Sequence, residues 1–382
     1  MTMRNVARAG FVAGAIAALL SVGLAAQSKS TAKTPWGHPD LQGLWNVATL
    51  TPLERPDEAK GRLTFSEPEV RKLEGANAAR RELRARPSNG DRQAPPVGGD
   101  GSTGAAGNVG GYNNFWVDPG DTYNKVDGQY RTSMIVDPAD GKIPPTLPEA
   151  MKRNAARLRA TPTSDAPENV ETRAPGAYDN PEQRPLGERC IMGFGSVSGP
   201  PMLSVLYNNF KQIVQTPTHV MILVEMVHDA RIIPFKSTHA PDHIRKWMGD
   251  SIARWEGDTL VVETTNFNDK TRFRGSSEKL KVTERFSRVN EGLLYRFTVE
   301  DPSTWARPWT AEYTWAAAKP DDHLYEYACH EGNYAMVNIL KAGRANEQAA
   351  MEGALLVSRQ RIEAGHPGVR EPAVPFVAAP PR

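Results

Sequence analysis

Residues 252–316 constrain this chain more than any other stretch. IARWEGDTLVVETTNF is followed by KLKVTERFSRV, GLLYRFTVEDP and PWTAEYTWAA, all dense in aromatic and β-branched residues and separated by short polar breaks. Such side chains fit a pleated, half-buried surface, so the run reads as four successive strands of an antiparallel meander. Upstream, residues 202–235 read as two or three strands with a turn at Thr216-Pro217-Thr218. PDLQGLWNV (39–47) and QYRTSMIVDPADGKIPP (129–145) each supply one more, and HLYEYACHE (323–331) reads as the closing strand.

About eight to ten short antiparallel strands predict a mainly β fold, an up-and-down, lipocalin-like barrel or a strongly curved sheet. Long irregular insertions at 50–111 and 140–188 interrupt a single barrel-like domain spanning 38–345. Two or three short surface helices accompany it. One starts at Ser66, whose side chain with Glu69 three residues on makes a capping box; Val70, Leu73 and Leu83 give it a thin apolar stripe. A second runs from near Thr146, again with an acid three residues later (Glu149), to about Ala160, and a third from Asn333 to about Arg344. The Gly-rich stretch 86–111 has almost nothing to bury and reads as a flexible loop, and the Pro-rich residues 366–382 read as a disordered tail.

The N-terminus bounds the compartment. Arg4 and Arg8 precede an apolar run from Gly10 to Leu24, and small residues follow, which is the pattern of a signal peptide over 1–26 cleaved near Ala25 or Ala26. The run is too short and too rich in Ala and Gly to favour a retained spanning helix, so no stable membrane anchor is expected after cleavage. The formal charge is +2, and losing Arg4 and Arg8 with the leader brings it near zero. Such a field attracts no polyanion, so nucleic acid is not expected as a partner. Cys190 and Cys329 would meet in an oxidising compartment, where a disulfide is the first reading and two buried thiols or a reactive cysteine the others.

Strand periodicity selects the polar residues that share a face with apolar ones. Leu280, Val282, Glu284 and Phe286 put Glu284 toward a core, and Val261, Glu263, Thr265 and Phe267 do the same for Glu263. Met221, Leu223, Glu225, Asp229, Arg231 and Ile233 share one side with His228 opposite, and Leu324, Glu326, Ala328 and His330 share another. A lumen with several carboxylates, a His and an Arg is a binding site, because buried charge is costly unless paired or used. The candidate catalytic set is therefore His228, His330, Glu225, Glu284, Glu331 and Arg231, with Trp45, Tyr207, Asp229, Arg254, Trp255, Glu263 and Trp309 as candidate ligand contacts. The clusters His228-Asp229-x-Arg231 and Cys329-His330-Glu331 are the densest in polar groups, and a His beside a carboxylate suits acid–base work. Competing structural readings are core packing for the Trp residues and ion pairs with Arg285, Arg288 and Arg296 for the carboxylates. No metal site is expected, because His239 and His243 are four apart with Pro241 between and no further ligand pattern. Gly193 to Gly199 matches no phosphate or nucleophile motif, and no cofactor is expected.

PDLQGLWN, LTPLERP, NVGGYNNFWVDPG, RCIMGFG, ARWEGDTLVVETTNF, TERF, DPSTWARPWT and YACHEGNY together give the chain a family likeness. It resembles a large, uncharacterised family of exported proteins of environmental bacteria over roughly residues 38–345. That resemblance implies secretion and a β-rich fold and brings no catalytic residue with it. A weaker similarity, through Gly43-Leu44-Trp45 and the meander, is to the lipocalin-like (calycin) barrels, from which the insertions before residue 190 depart. The functional expectation is a periplasmic or secreted protein holding an amphipathic or aromatic small molecule in a barrel cavity. The alternatives are a secreted hydrolase or lyase using His/Glu chemistry in that cavity, and a structural protein with no small ligand. The sequence leaves the oligomeric state open.

Overall fold

The computed structural model describes residues 32–85, 117–160, 178–193, 199–271, 273–290 and 292–363. The leader, the 86–111 stretch, residues 194–198 and the tail lie outside them. Two compact units divide the chain, one ending at Asp40 and the other starting at Leu41. In the first, Lys33 and Pro39 form an isolated antiparallel bridge, and Thr34 donates its hydroxyl to the His38 carbonyl at 3.1 Å.

The second unit is mainly β. Its strands are β1 (Gly43–Asn46), β2 (Thr64–Phe65), β3 (Lys125–Val126), β4 (Gln129–Arg131), β5 (Ile135–Asp137), β6 (Phe210–Gln215) and β7 (His219–Val224). Then follow β8 (Asp229–Pro234), β9 (Asp250–Glu256), β10 (Thr259–Thr265), β11 (Lys281–Val289), β12 (Gly292–Glu300) and β13 (Trp309–Ala317). One sheet runs β8-β7-β6-β1-β13-β12-β11-β10-β9 with antiparallel neighbours throughout, and β5 joins β13. The two ends of that order approach each other through a single parallel bridge, Phe235 to Ala253. The result is a nearly closed antiparallel barrel with a seam between β8 and β9. A small separate sheet, β2-β4-β3, is tied to β13, with Arg131 paired to Glu312 at 2.9 Å and the Thr314 hydroxyl donating to the Lys125 carbonyl at 2.8 Å.

The barrel interior is packed with rings. Phe286, Tyr295, Phe297, Trp309, Tyr313 and Trp315 are all fully buried. Tyr295 sits at their centre, 4.8 Å from the Trp315 ring and 5.0 Å from that of Phe286. Each such side chain removes a large apolar area from water and dominates the core energetics.

Three elements differ from the sequence reading. IARWEGDTLVVETTNF is two strands, because Gly257, at φ +59°, and Asp258 turn the chain between β9 and β10. The meander therefore has five strands. Residues 323–331 form no strand: the free edge of β13 is taken by β1 at Ala316 and Ala317 and by β5 at Thr310 and Ala311. The expected face of Leu324, Glu326, Ala328 and His330 consequently does not exist. The C-terminal helix continues past Arg344, since no proline intervenes before Glu363.

The helices start as their caps require. In α1 (Glu67–Ala85), Glu69 accepts from the Ser66 amide at 2.8 Å and the Ser66 hydroxyl at 2.7 Å, and Val70 alone is fully buried, with Leu73 and Leu83 exposed. Hydrogen bonds from Arg62 and Ser66 hold the Glu69 carboxyl down at about 2. α2 spans Pro148–Ala160, and α3 (Tyr334–Glu363) is capped by Asn333, whose side-chain oxygen accepts from the Met336 amide at 3.2 Å.

Cys190 and Cys329 are bonded, across a separation of 139 residues. The bridge fastens the 323–331 segment to the loop around residue 190, and Asn333 adds a 2.8 Å hydrogen bond to the Glu188 carbonyl. Closing so long a loop restrains the unfolded chain by about 4–5 kcal/mol. A Cys190→Ser variant is expected to lose most of that in urea unfolding, and an unchanged midpoint would show the bridge to be energetically idle.

Candidate functional site

The barrel's buried polar groups converge near its seam. Arg231 on β8 and Glu284 on β11 form a two-pronged ion pair, with Nη1 to Oε1 at 3.0 Å and Nη2 to Oε2 at 2.5 Å. Their side chains are 2% and 0% exposed. Tyr295 donates its hydroxyl to Glu284 at 2.8 Å and accepts from the Met202 amide at 3.0 Å. Burial, together with the Glu284 charge, pushes the Tyr295 phenol well above its ordinary value, so it remains a donor. Arg231 also reaches Ser251 on β9 at 3.3 Å and Thr264 on β10 at 3.4 Å, while its Nε is buried with no hydrogen-bond partner among the described residues.

A cavity of about 520 Å³ lies along the same seam. Its polar lining includes Asp229, Arg231, Lys236, Lys246, Asp250 and Ser251. Ile191, Ile232, Trp247 and Met248 supply apolar wall. Gly249, at φ +71°, allows the wall to close: a Cβ there would meet the Thr265 carbonyl oxygen at 2.6 Å.

Charge organises the connection between β8 and β9. Asp250 accepts from the Ala240 amide at 2.9 Å and from Lys246 at 3.2 Å, with Lys236 at 3.8 Å. His239 stands between two carboxylates, Nδ1 at 3.2 Å from Asp250 and Nε2 at 3.3 Å from Glu263. Glu263 also pairs with Lys281 at 2.8 Å. Burial works to raise both carboxyls, but these hydrogen bonds and charges outweigh it and hold both below their ordinary values. Asp229 is the contrast. Its Oδ2 is buried without a hydrogen-bond partner among the described residues, and burial, only partly opposed by the His228 charge, pushes the carboxyl up to about 6.

A second buried charge lies on β6. Lys211 is 1% exposed and makes no hydrogen bond or ion pair with a described residue. Burial pushes its ammonium down to about 8, with Glu225 partly opposing. The Glu225 carboxylate is itself engaged by the Phe210 and Tyr325 amides, each at 3.0 Å, and so straps residue 325 to the barrel.

Arg231, Glu284 and Asp229 are thus the sequence candidates that meet at the seam or beneath it. Glu263 lies on the opposite face from its expected one, outside the barrel, because Leu260, Val262 and Thr264 point inward. The same holds for Met221 and Leu223: Val220, Ile222 and Val224 take the interior, and Val227 and His228, both at positive φ, reverse the alternation before Arg231. His228 is exposed and bonds the Tyr327 carbonyl at 3.0 Å. His330 and Glu331 are exposed on the 323–331 segment. No hydrogen bond or ion pair among the described residues joins either His to Glu225, Glu284 or Glu331, so the expected acid–base pair is not assembled. Arg254 is exposed and pairs with Glu256 at 2.7 Å. Trp45 and Trp309 are core, with the Trp45 indole donating to the Leu41 carbonyl at 3.0 Å. Tyr207 stacks on Tyr327 at 6.4 Å, and Trp255 on Phe235 at 6.3 Å.

Sequence reasoning did not single out Lys211, Tyr295, Lys236, Lys246 or Asp250. Phe210-Lys211-Gln212-Ile213-Val214-Gln215 carries apolar residues at both parities, so alternation alone gave no sign that Lys211 faces in. Among the described residues no group of His, Cys, Asp and Glu is arranged to hold a metal ion, and no helix is long and apolar enough to cross a membrane. No known family model, curated protein or solved structure matches the chain.

Two stability predictions follow from the buried charges. Glu284→Gln leaves the Arg231 guanidinium buried against a neutral amide and is expected to cost about 3–5 kcal/mol, whereas Arg231→Met with Glu284→Leu costs far less. Equal losses in urea titrations would show that the pair is not coupled. Lys211 titrates near 8 when folded against 10.5 for its ordinary value, so below pH 8 its burial destabilises fully. Between those values the unfolded chain binds the extra proton and stability rises with pH, by about 3 kcal/mol. Lys211→Met should lack this rise and be the more stable protein at pH 7.

Proposed function

We propose that this chain is an exported, periplasmic or secreted protein that binds an amphipathic small molecule, and that its binding site is the seam cavity rather than the barrel lumen. One observation carries the reading: the cavity lies where the strand order fails to close, and two of its lining residues, Asp229 and Arg231, each hold a buried polar atom with no hydrogen-bond partner among the described residues, beside an apolar wall. Pockets for small ligands commonly enclose ~300–1,000 Å³ and set fixed polar groups beside apolar wall; this one falls in that range with a lining about half polar. The lumen reading loses support because buried rings from β11, β12 and β13 pack the interior. Export is supported by the Arg4 to Ala26 leader pattern and by the disulfide, a bond that persists in oxidising compartments.

Native mass spectrometry of the protein purified from its own periplasm, without reductant, is expected to find a chain lacking residues 1–26 and carrying a bound small molecule. Ile232→Trp places an indole over the cavity from an exposed position and is expected to strip that molecule while leaving the fold intact. A bare wild-type mass would exclude a tight carrier, and retention by the variant would move the site elsewhere.

A further inference from the structure

The cations around the seam cavity have anions of their own. Arg231 is matched by Glu284, and Lys246 and Lys236 by Asp250. Asp250 in turn is held by His239 and the Ala240 amide. His219 also lines the cavity, with its Nδ1 3.0 Å from the Thr218 hydroxyl. Asp229 is the remaining acid of the lining, and its side chain has neither hydrogen bond nor ion pair among the described residues. The nearest basic side chain in sequence, His228, is turned to the Tyr327 carbonyl. An acid at about 6 is still mostly ionised at neutral pH, so the cavity presents a partly desolvated carboxylate with no ion-pair partner among the described residues and only the His228 charge nearby to oppose its burial. Leaving such a group unmet is costly, and an opposite charge brought to it in low dielectric gains more than at an open surface. Trp247, Met248 and Ile232 sit across the same space and offer an apolar bed beside the charge.

Resting on the seam cavity being the binding site, we infer that its ligand is an organic amine: a protonated amino group pairs with Asp229, and an apolar or aromatic body lies against Trp247 and Met248. The group that selects the ligand is thus an acid on the first residue of β8 and not the Arg231–Glu284 pair beneath it, whose charges already satisfy each other. An anionic ligand would need Lys236 and Lys246 released from Asp250, and a neutral one would leave Asp229 uncompensated.

Three probes of one shape separate these cases: 2-phenylethylamine, 2-phenylethanol and phenylacetate, titrated calorimetrically into the full mature chain with its disulfide intact. The amine is expected to bind at least tenfold more tightly than either analogue. Asp229→Asn is expected to erase that preference while 2-phenylethanol binds as before, and circular dichroism and urea unfolding of the variant check that it folds. Preference for the alcohol or the acid, abolished by Ile232→Trp, overturns the amine and leaves the seam as the site. An amine preference that survives Asp229→Asn also overturns the assignment. Silence from all three probes up to millimolar concentration overturns both the amine and the seam.

Discussion

Closure of this barrel depends on a side chain. Eight of the nine junctions around the strand order are antiparallel ladders, but β8 and β9 share one bridge, so backbone hydrogen bonding does not hold the ninth. Arg231 takes over that role. From β8 it reaches Glu284 on β11, Ser251 on β9 and Thr264 on β10, spanning the gap and the two strands beyond it. A guanidinium suits this task because its planar fork donates in several directions at once. Buried ion pairs are weak sources of net stability, but removal of one partner is severe, and here the partner also defines where the sheet ends meet.

A second set of charges acts outside the barrel. The connection from β8 to β9 is drawn onto β9 and β10 by Asp250, His239, Glu263 and their lysines, and Gly249 brings its backbone against Thr265. Glu225 works similarly at another edge, fixing residue 325 with a carboxylate where the sequence pattern suggested catalysis. Both clusters use acids as fasteners for irregular backbone, in keeping with the rule that backbone amides away from water need acceptors. The cavity lies along the seam, where β8 and β9 share one bridge and no ladder.

How much of this was legible in the sequence turns on where alternation is unambiguous. In β11 one face is Val282, Glu284 and Phe286 and the other is polar, so the inward aim of Glu284 could be read directly. In β10 Leu260, Val261 and Val262 are all buried, leaving the parity undecided, and Asn266 at φ +54° resets it before Phe267, so Glu263 was placed on the wrong face. Val227 and His228 do the same between β7 and β8. A positive φ on a residue other than glycine leaves little trace in sequence. The closing strand was misplaced for another reason. Which edge is vacant depends on β1 and β5 arriving from far along the chain, and no local pattern in 323–331 records that. The caps at Ser66 and Asn333 were legible because a cap is a contact between near neighbours.

The disulfide touches the same place from the other side. Ile191, next to Cys190, is part of the cavity wall, so the covalent tie that anchors residue 329 also anchors a piece of the seam. Beside that tie, Asn333 donates to the Glu188 carbonyl at 2.8 Å, and the Ile191 amide donates to the Leu186 carbonyl at 3.0 Å. The covalent tie therefore fixes part of the cavity wall as well as the 323–331 segment, and breaking it would loosen both at once.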